Sequence, residues 1–147
     1  MKQFKRPESV LVVIYSRDSG RVLMLQRNDD PDFWQSVTGS LEAGESTQQT
    51  ALREVKEEVG IDIQAEQLIL QDCQRSVEFE IFTHFRHRYA PGITHNLEHW
   101  FCLALPAERE IALSEHHAYQ WLDKMQAAQL TKSWSNRQAI EEFIISH

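Results

Sequence analysis

The sequence predicts an α/β (α+β) fold in which a mixed β-sheet lies between helices, and three observations carry that prediction. Short segments rich in β-branched and aromatic residues recur between Val10 and Leu122. A capped segment of helical periodicity, Ser46 to Val59, interrupts them, and a second amphipathic segment, Asn136 to Ile145, follows the last of them. Strands surrounding two helices are best packed as a sandwich. The 147 residues are 41% hydrophobic, with seven Phe and four Trp, which suits the core of one domain spanning 1–147. No linker, low-complexity segment or fixed-period repeat divides them.

In chain order, Val10 to Tyr15 and Arg21 to Arg27 read as strands joined by the turn Arg17-Asp18-Ser19-Gly20. A turn cluster at Asn28 to Asp32 precedes a short strand around Trp34 to Val37. Ser46 to Val59 is the clearest helix. Ser46 can cap it with Gln49 three residues on, and Gly60 suits its C-terminal stop. Gln67 to Phe85 reads as one or two strands, His99 to Leu105 as another ended by Pro106, and Ala118 to Leu122 as a short one. In the last helix Ile140, Phe143 and Ile144 recur at helical spacing, with a start at Ser133 or Ser135.

The formal charge is −7, with no run of five or more like charges. A nucleic acid polymer requires a basic face, so that partner is not expected. A small anionic substrate is compatible, because local cations or a bound metal can hold phosphates on an acidic protein. Cys73 and Cys102 form no CxxC pair and read as reduced, buried residues. Val10 to Tyr15 is too short for a signal-peptide core, and no apolar stretch reaches a membrane span. The expectation is a cytoplasmic protein with no membrane partner. His84 and His87, three apart in an expected strand, would face opposite ways and lack zinc-chelating geometry. His116 and His117 read as polar loop residues.

The chemistry is concentrated in Gly39-Ser40-Leu41-Glu42-Ala43-Gly44-Glu45, then seven residues, then Arg53-Glu54-Val55-Lys56-Glu57-Glu58-Val59-Gly60-Ile61. On a helix, Glu54, Glu57 and Glu58 share an arc of about 100°, and Ala51, Leu52, Val55 and Val59 occupy the adjoining arc. Carboxylates at this spacing repel one another, and a divalent cation turns that repulsion into a binding site. Oxygen ligands on one face suit Mg²⁺, which keeps several waters and shares its remaining positions with substrate phosphate. A solvated Glu-rich surface helix is the alternative for the helical part alone. Gly39 and Gly44, which permit a tight loop, and Glu45, placed to salt-bridge back to Arg53, argue against it. Over the nine specified positions a chance match is on the order of one in 10⁹ per start position.

This 23-residue segment fits, position for position, the pattern Gly-x5-Glu-x7-Arg-Glu-U-x-Glu-Glu-x-Gly-U, where U is a bulky aliphatic residue. The sequence therefore resembles the Nudix hydrolases, which cleave a nucleoside diphosphate linked to another moiety. The resemblance implies the Nudix α/β/α sandwich and metal-dependent pyrophosphohydrolysis with Mg²⁺, Mn²⁺ being a possible substitute. Glu54, Glu57 and Glu58 would be metal ligands and catalytic, with a backbone carbonyl near Gly39. Arg53, also assigned to the catalytic set, would hold the loop to the helix with Glu45. Many relatives add an acidic residue from a late loop, which makes Glu115, in Leu113-Ser114-Glu115-His116-His117, the candidate for a further metal ligand or base. Glu80 and Glu98 are weaker candidates, since each lies in an expected strand and could face solvent.

Residues outside the signature bear on the substrate, a small-molecule triphosphate handled by an expected monomer. Asp29 to Gly39, Gln74 to Phe82, His87 to Gly92 and Leu130 to Arg137 resemble the branch of the family that removes pyrophosphate from a pterin triphosphate in folate synthesis. Many Nudix proteins enter the signature with Pro-Gly-Gly, whereas this chain has Val37-Thr38-Gly39, a variant that the pterin branch shares. Thr38 offers a hydroxyl to a phosphate or ligand. Phe79, Phe82 and Trp134 could supply stacking surface, with core packing as the alternative for each. Lys5, Arg27 and Ser133 could reach phosphate or ring polar atoms, while Arg75, Arg86 and Arg88 read as surface charge. Two other functions fit the signature: a nucleoside triphosphate pyrophosphohydrolase acting on dATP or a damaged nucleotide, and a non-catalytic ligand-binding module. The module is disfavoured because no signature carboxylate is missing.

Overall fold

The fold is built around one strand whose side chains are buried on both sides. The computed structural model describes residues 4–114 and 116–144. Strand β1 (Glu8–Ser16) runs between β6 (His95–Leu105), to which it is parallel, and its antiparallel neighbours β2 (Val22–Arg27) and β4 (Val37–Ser40). The sheet is completed by β3 (Trp34–Gln35) and β7 (His116–Leu122) on β2, and by β5 (Leu70–Glu80) on β6. Helices α1 (Thr47–Val59), α2 (Lys124–Leu130) and α3 (Trp134–Phe143) cover it, and a short 3-10 helix spans Thr83–Arg88.

Alternation along the strands sorts the core into two layers. Val10, Val12 and Ile14 of β1 join Phe101, Leu103 and Leu105 of β6 against Ala51, Val55 and Val59 of α1. Leu11 and Val13, with Trp100 and Cys102, face Ala127 and Ala128 of α2 and Ala139 and Ile140 of α3. The mixed sheet therefore lies between helical layers, as the sequence predicts. Burial on both faces explains why β1 is a continuous apolar run. Each fully buried aliphatic side chain contributes about 1.5–3 kcal/mol to that packing.

Helix α1 has the predicted ends. Ser46 Oγ accepts from the Gln49 amide at 3.1 Å, and Gln49 Oε1 accepts from the Ser46 amide at 2.9 Å. Gly60 closes the helix in the left-handed region at φ 71°, its N–H donating to the Lys56 carbonyl. Helix α3 starts at the cap Ser133.

Several elements differ from the expectation. Helix α2 is additional: Asp123 caps it, accepting from the Gln126 amide, but its buried face consists of two alanines, which give little periodic signal. The expected strand over Gln67 to Phe85 stops at Glu80, so His84 and His87 lie in the 3-10 helix and not in a strand. There Phe82 packs edge-on to Phe33 at 5.5 Å and Phe85 lies 6.1 Å from Phe33, tertiary contacts that override β propensity. Strand β6 begins at His95, ahead of the expected His99. A bulge between Asp72 and Ser76 of β5, with Gln74 at φ 52°, places the free thiols of Cys73 and Cys102 with their sulfurs 3.4 Å apart. Among the described residues no helix is long and apolar enough to cross a membrane.

Candidate active site

Glu54 and Glu58, one helical turn apart on α1, line a cleft of about 910 Å³ bounded by β4, the loop before α1 and the segment preceding β1. Glu58 is only 4% exposed. The Glu54 carboxylate lies directly on the backbone of Gly39: a Cβ there would come within 2.2 Å of its Cδ and 2.5 Å of both its oxygens. A side chain at this position would displace the Glu54 carboxylate by contact, with no obstacle from backbone angle. Glu57 stands apart from its two neighbours. Its side chain is 58% exposed and takes a hydrogen bond from Arg53 at 3.2 Å.

Arg53 ties the preceding loop to the helix, as its spacing from Glu45 predicts. Its Nε and Nη2 donate to Glu45 at 2.6 and 2.9 Å, its Nη1 to Glu54 at 2.6 Å, and its Nη2 to the Ser40 carbonyl at 3.2 Å. The guanidinium holds the Glu45 carboxyl down at about 2, helped by the Glu42 amide and the Thr50 hydroxyl. Glu45 in turn raises the Arg53 pKa. The loop is thereby anchored beside the two cleft carboxylates.

The donor set fits a hard divalent cation. Among the described residues no three His, Cys, Asp or Glu side chains already converge on one point. Mg²⁺ needs only one or two protein carboxylates, since water and substrate phosphate fill its other positions. Glu54, Glu58 and the bare backbone at Gly39 could supply such a set. Glu115 lies outside the described residues.

Cations face these carboxylates across the cleft. Arg27, at the end of β2, forms two 2.7 Å hydrogen bonds with Asp29, which also accepts from Arg88. Arg27, with Arg88, holds the Asp29 carboxyl down at about 2. The Arg27 guanidinium also packs 4.2 Å from the centre of the Phe85 ring. Burial, then the charges of Arg88 and Arg27, lowers the Lys5 pKa, opposed by Glu54 and Glu58. Two guanidiniums sharing one carboxylate, with Lys5 close enough to be depressed by both, leave a site that an anion would relieve. Arg88 is therefore part of the cleft and not plain surface charge, unlike Arg75, which pairs with Glu142, and Arg86, which pairs with Glu80. His116 begins β7 with its side chain 5% exposed, 3.8 Å from Glu58, so it is not the polar loop residue that its sequence neighbourhood suggests. Burial pushes its pKa down to about 4.

A second cleft of about 490 Å³ continues from the first, sharing Lys5, Arg27, Thr38 and Arg88 with it. Phe79, Phe82, Ser133 and Trp134 all line it. Phe82 and Trp134 are 41% and 44% exposed, so neither is a core residue. Ser133 Oγ accepts from the Asn136 amide at 3.1 Å as the cap of α3. Thr38 Oγ1 donates to the Val10 carbonyl at 2.8 Å, which engages with the backbone the proton expected for a ligand.

Sequence reasoning missed other residues of this cleft: Phe85, Asn96, Asn136 and the orientation of Glu98. Glu98 does not face solvent. It is 4% exposed, accepts from Trp100 Nε1 at 3.1 Å, and burial pushes its carboxyl up to about 7. The available signal was polar residues at the buried parity of a strand, Asn96 and Glu98 ahead of Trp100, visible only when the strand is begun at His95.

Residues 5–143 match the NUDIX domain family. The chain is 71% identical over 145 residues to the dihydroneopterin triphosphate diphosphatase of Escherichia coli (strain K12), covering 99% of this chain and 97% of that protein. It is 51% identical over 146 residues to the Haemophilus influenzae protein of the same name, covering 99% and 92%. The structure of the E. coli dihydroneopterin triphosphate pyrophosphohydrolase superposes with a TM-score of 0.96 at 71% identity, over 97% of this chain and 98% of that one. With the signature helix, the sheet around it and the lining of both clefts apart from Phe4 inside the matched region, the chain belongs to the Nudix family.

Proposed function

We propose that this chain is a dihydroneopterin triphosphate pyrophosphohydrolase, releasing pyrophosphate and dihydroneopterin monophosphate as a step of folate biosynthesis. It would act as a monomeric, single-domain cytoplasmic enzyme with Mg²⁺, or Mn²⁺ in its place. The observation that carries this reading is the continuity of the two clefts: carboxylates and cations in one, an aromatic wall in the other, joined through Lys5, Arg27 and Thr38. Full-length identity to proteins of that activity supports it.

Glu54 and Glu58 would hold the metal, with Glu57 from the rim, Glu115 from the late loop and the backbone near Gly39. A divalent cation at this place supplies positive charge to the phosphoanhydride oxygens and lowers the pKa of a water. Arg53 positions Glu54 while fixing the loop through Glu45. Lys5, Arg27 and Arg88 oppose the charge of the polyphosphate, for which a planar guanidinium is suited by its fork of donors. Phe79, Phe82 and Trp134 form the wall on which a flat ring can stack, with Ser133 beside them.

The test compares kcat/KM for dihydroneopterin triphosphate and for dATP with Mg²⁺ present. A clear preference for the pterin is expected, and a nucleotide preference of about tenfold or more would overturn the assignment. Phosphorus NMR in oxygen-18 water identifies the attacked phosphorus in the same reaction.

A further inference from the structure

We propose that Asn96 and Glu98 form an acceptor pair that reads the donor edge of the substrate ring, a ring N–H beside an exocyclic amine. The inference rests on the pterin reading above and identifies what selects the ring. The two residues are two apart on β6, so their side chains leave the same face of the strand. They are 1% and 4% exposed, and both line the aromatic cleft.

Their hydrogen bonds leave acceptors in excess. Asn96 Nδ2 donates to Ser9 Oγ at 2.7 Å, whereas Asn96 Oδ1 is buried with no hydrogen-bond partner among the described residues. An unsatisfied buried carbonyl is costly and calls for an explanation. Glu98 receives Trp100 Nε1 at 3.1 Å and a hydrogen bond from Ser135, yet a carboxylate has about four acceptor sites. Burial of that carboxylate disfavours its charge, a cost that a pair of ligand donors would offset. Asn136 differs in being engaged at both ends: its Oδ1 accepts from the Ser36 amide at 2.8 Å and its Nδ2 donates to Ser36 Oγ at 3.0 Å. Of these three side chains the buried atom without a partner among the described residues is thus an acceptor, Asn96 Oδ1, and it shares the cleft with Phe79, Phe82 and Trp134.

A pterin carries the complementary edge, with a ring N–H next to an exocyclic amine. Guanine carries the same edge, whereas adenine places its amine beside an acceptor nitrogen. Replacing the pterin amine by a carbonyl, as in a lumazine-type ring, sets acceptor against acceptor.

Equilibrium binding of three phosphate-free ligands, dihydroneopterin, its lumazine-type analogue and guanosine, tests the assignment on the wild-type chain and on Glu98→Gln. The wild type is expected to bind dihydroneopterin about tenfold or more tighter than the analogue, because a mismatched polar edge leaves buried groups unpaired. In Glu98→Gln that gap should narrow, since an amide can donate to the new carbonyl, and the loss with dihydroneopterin triphosphate should fall mainly in KM rather than kcat. Equal binding of dihydroneopterin and the analogue by the wild type would overturn the roles of Asn96 and Glu98, while a kcat/KM preference over dATP would keep the substrate reading intact. Absence of that preference overturns the substrate reading itself. Guanosine binding weaker than dihydroneopterin supports the pterin as the ring read here, and equal or tighter binding overturns it.

Discussion

At Gly39 the obstacle to a side chain is the Glu54 carboxylate, 2.2 Å from where a Cβ would stand. The obstructing atoms are the far end of a flexible side chain, so Gly39→Ala should cost little stability while forcing Glu54 out of the cleft. We expect kcat to fall by about tenfold or more, since small displacements of catalytic groups are costly, with a melting temperature close to wild type. Wild-type kinetics in that variant would show that the contact between Gly39 and Glu54 is not needed for turnover. Glu54→Gln and Glu58→Gln remove charge from the cleft itself, and each should lower kcat by about 10²-fold or more. Glu57→Gln should cost less, because Glu57 is exposed at the rim and its carboxylate is directed to Arg53. Steady-state pyrophosphate release at saturating Mg²⁺, with circular dichroism to verify folding, ranks the three. A Glu57 defect equal to the other two would restore the equal roles that helical spacing alone suggests.

Helix α1 joins fold to chemistry through Arg53 and Glu45. The Glu45 carboxyl sits at about 2 in the folded chain against an ordinary 4.5, so folding favours its ionised form. The stabilisation is complete above the ordinary value and is lost as pH falls through the folded one. Glu45→Gln should therefore lower stability at neutral pH, on the order of 1 kcal/mol for a bidentate pair near the surface, and the difference from wild type should be much reduced at about pH 2 and disappear below it. Denaturant titrations across that range measure it, and a difference independent of pH would point to packing or to Thr50 instead of charge. This helix is legible in the sequence from Ser46 to Gly60 because its cap, its stop and its apolar stripe are all local. Helix α2 is not, since Ala127 and Ala128 fit their site by being small, which no periodicity reports. The Phe82 to Phe85 segment misleads for the opposite reason: aromatic residues typical of strands form a helical turn because Phe33 lies beneath them.

Across the whole molecule, the site draws Lys5 from the N-terminal segment, Arg27 from β2, Arg88 from the 3-10 helix and His116 from β7 onto the carboxylates of α1. Only the carboxylates share a short motif, so the sequence gives them away while leaving Arg88 and His116 looking like surface residues. Their convergence is a product of sheet order. It also places Glu54 and Glu58 together in a chain of net charge −7, where a bound cation should stabilise the folded state over the unfolded one. With free Mg²⁺ at about ten times its dissociation constant, that linkage amounts to about 1.4 kcal/mol. For a domain of this size the corresponding rise in melting temperature is about 3–6 °C. Ionic strength must be matched with NaCl, since screening of the excess negative charge also stabilises. The rise should disappear when Glu54→Gln and Glu58→Gln are combined, and EDTA should reverse it in the wild type. A rise of the same size in the double variant would place the metal away from α1 and detach the signature helix from the metal site.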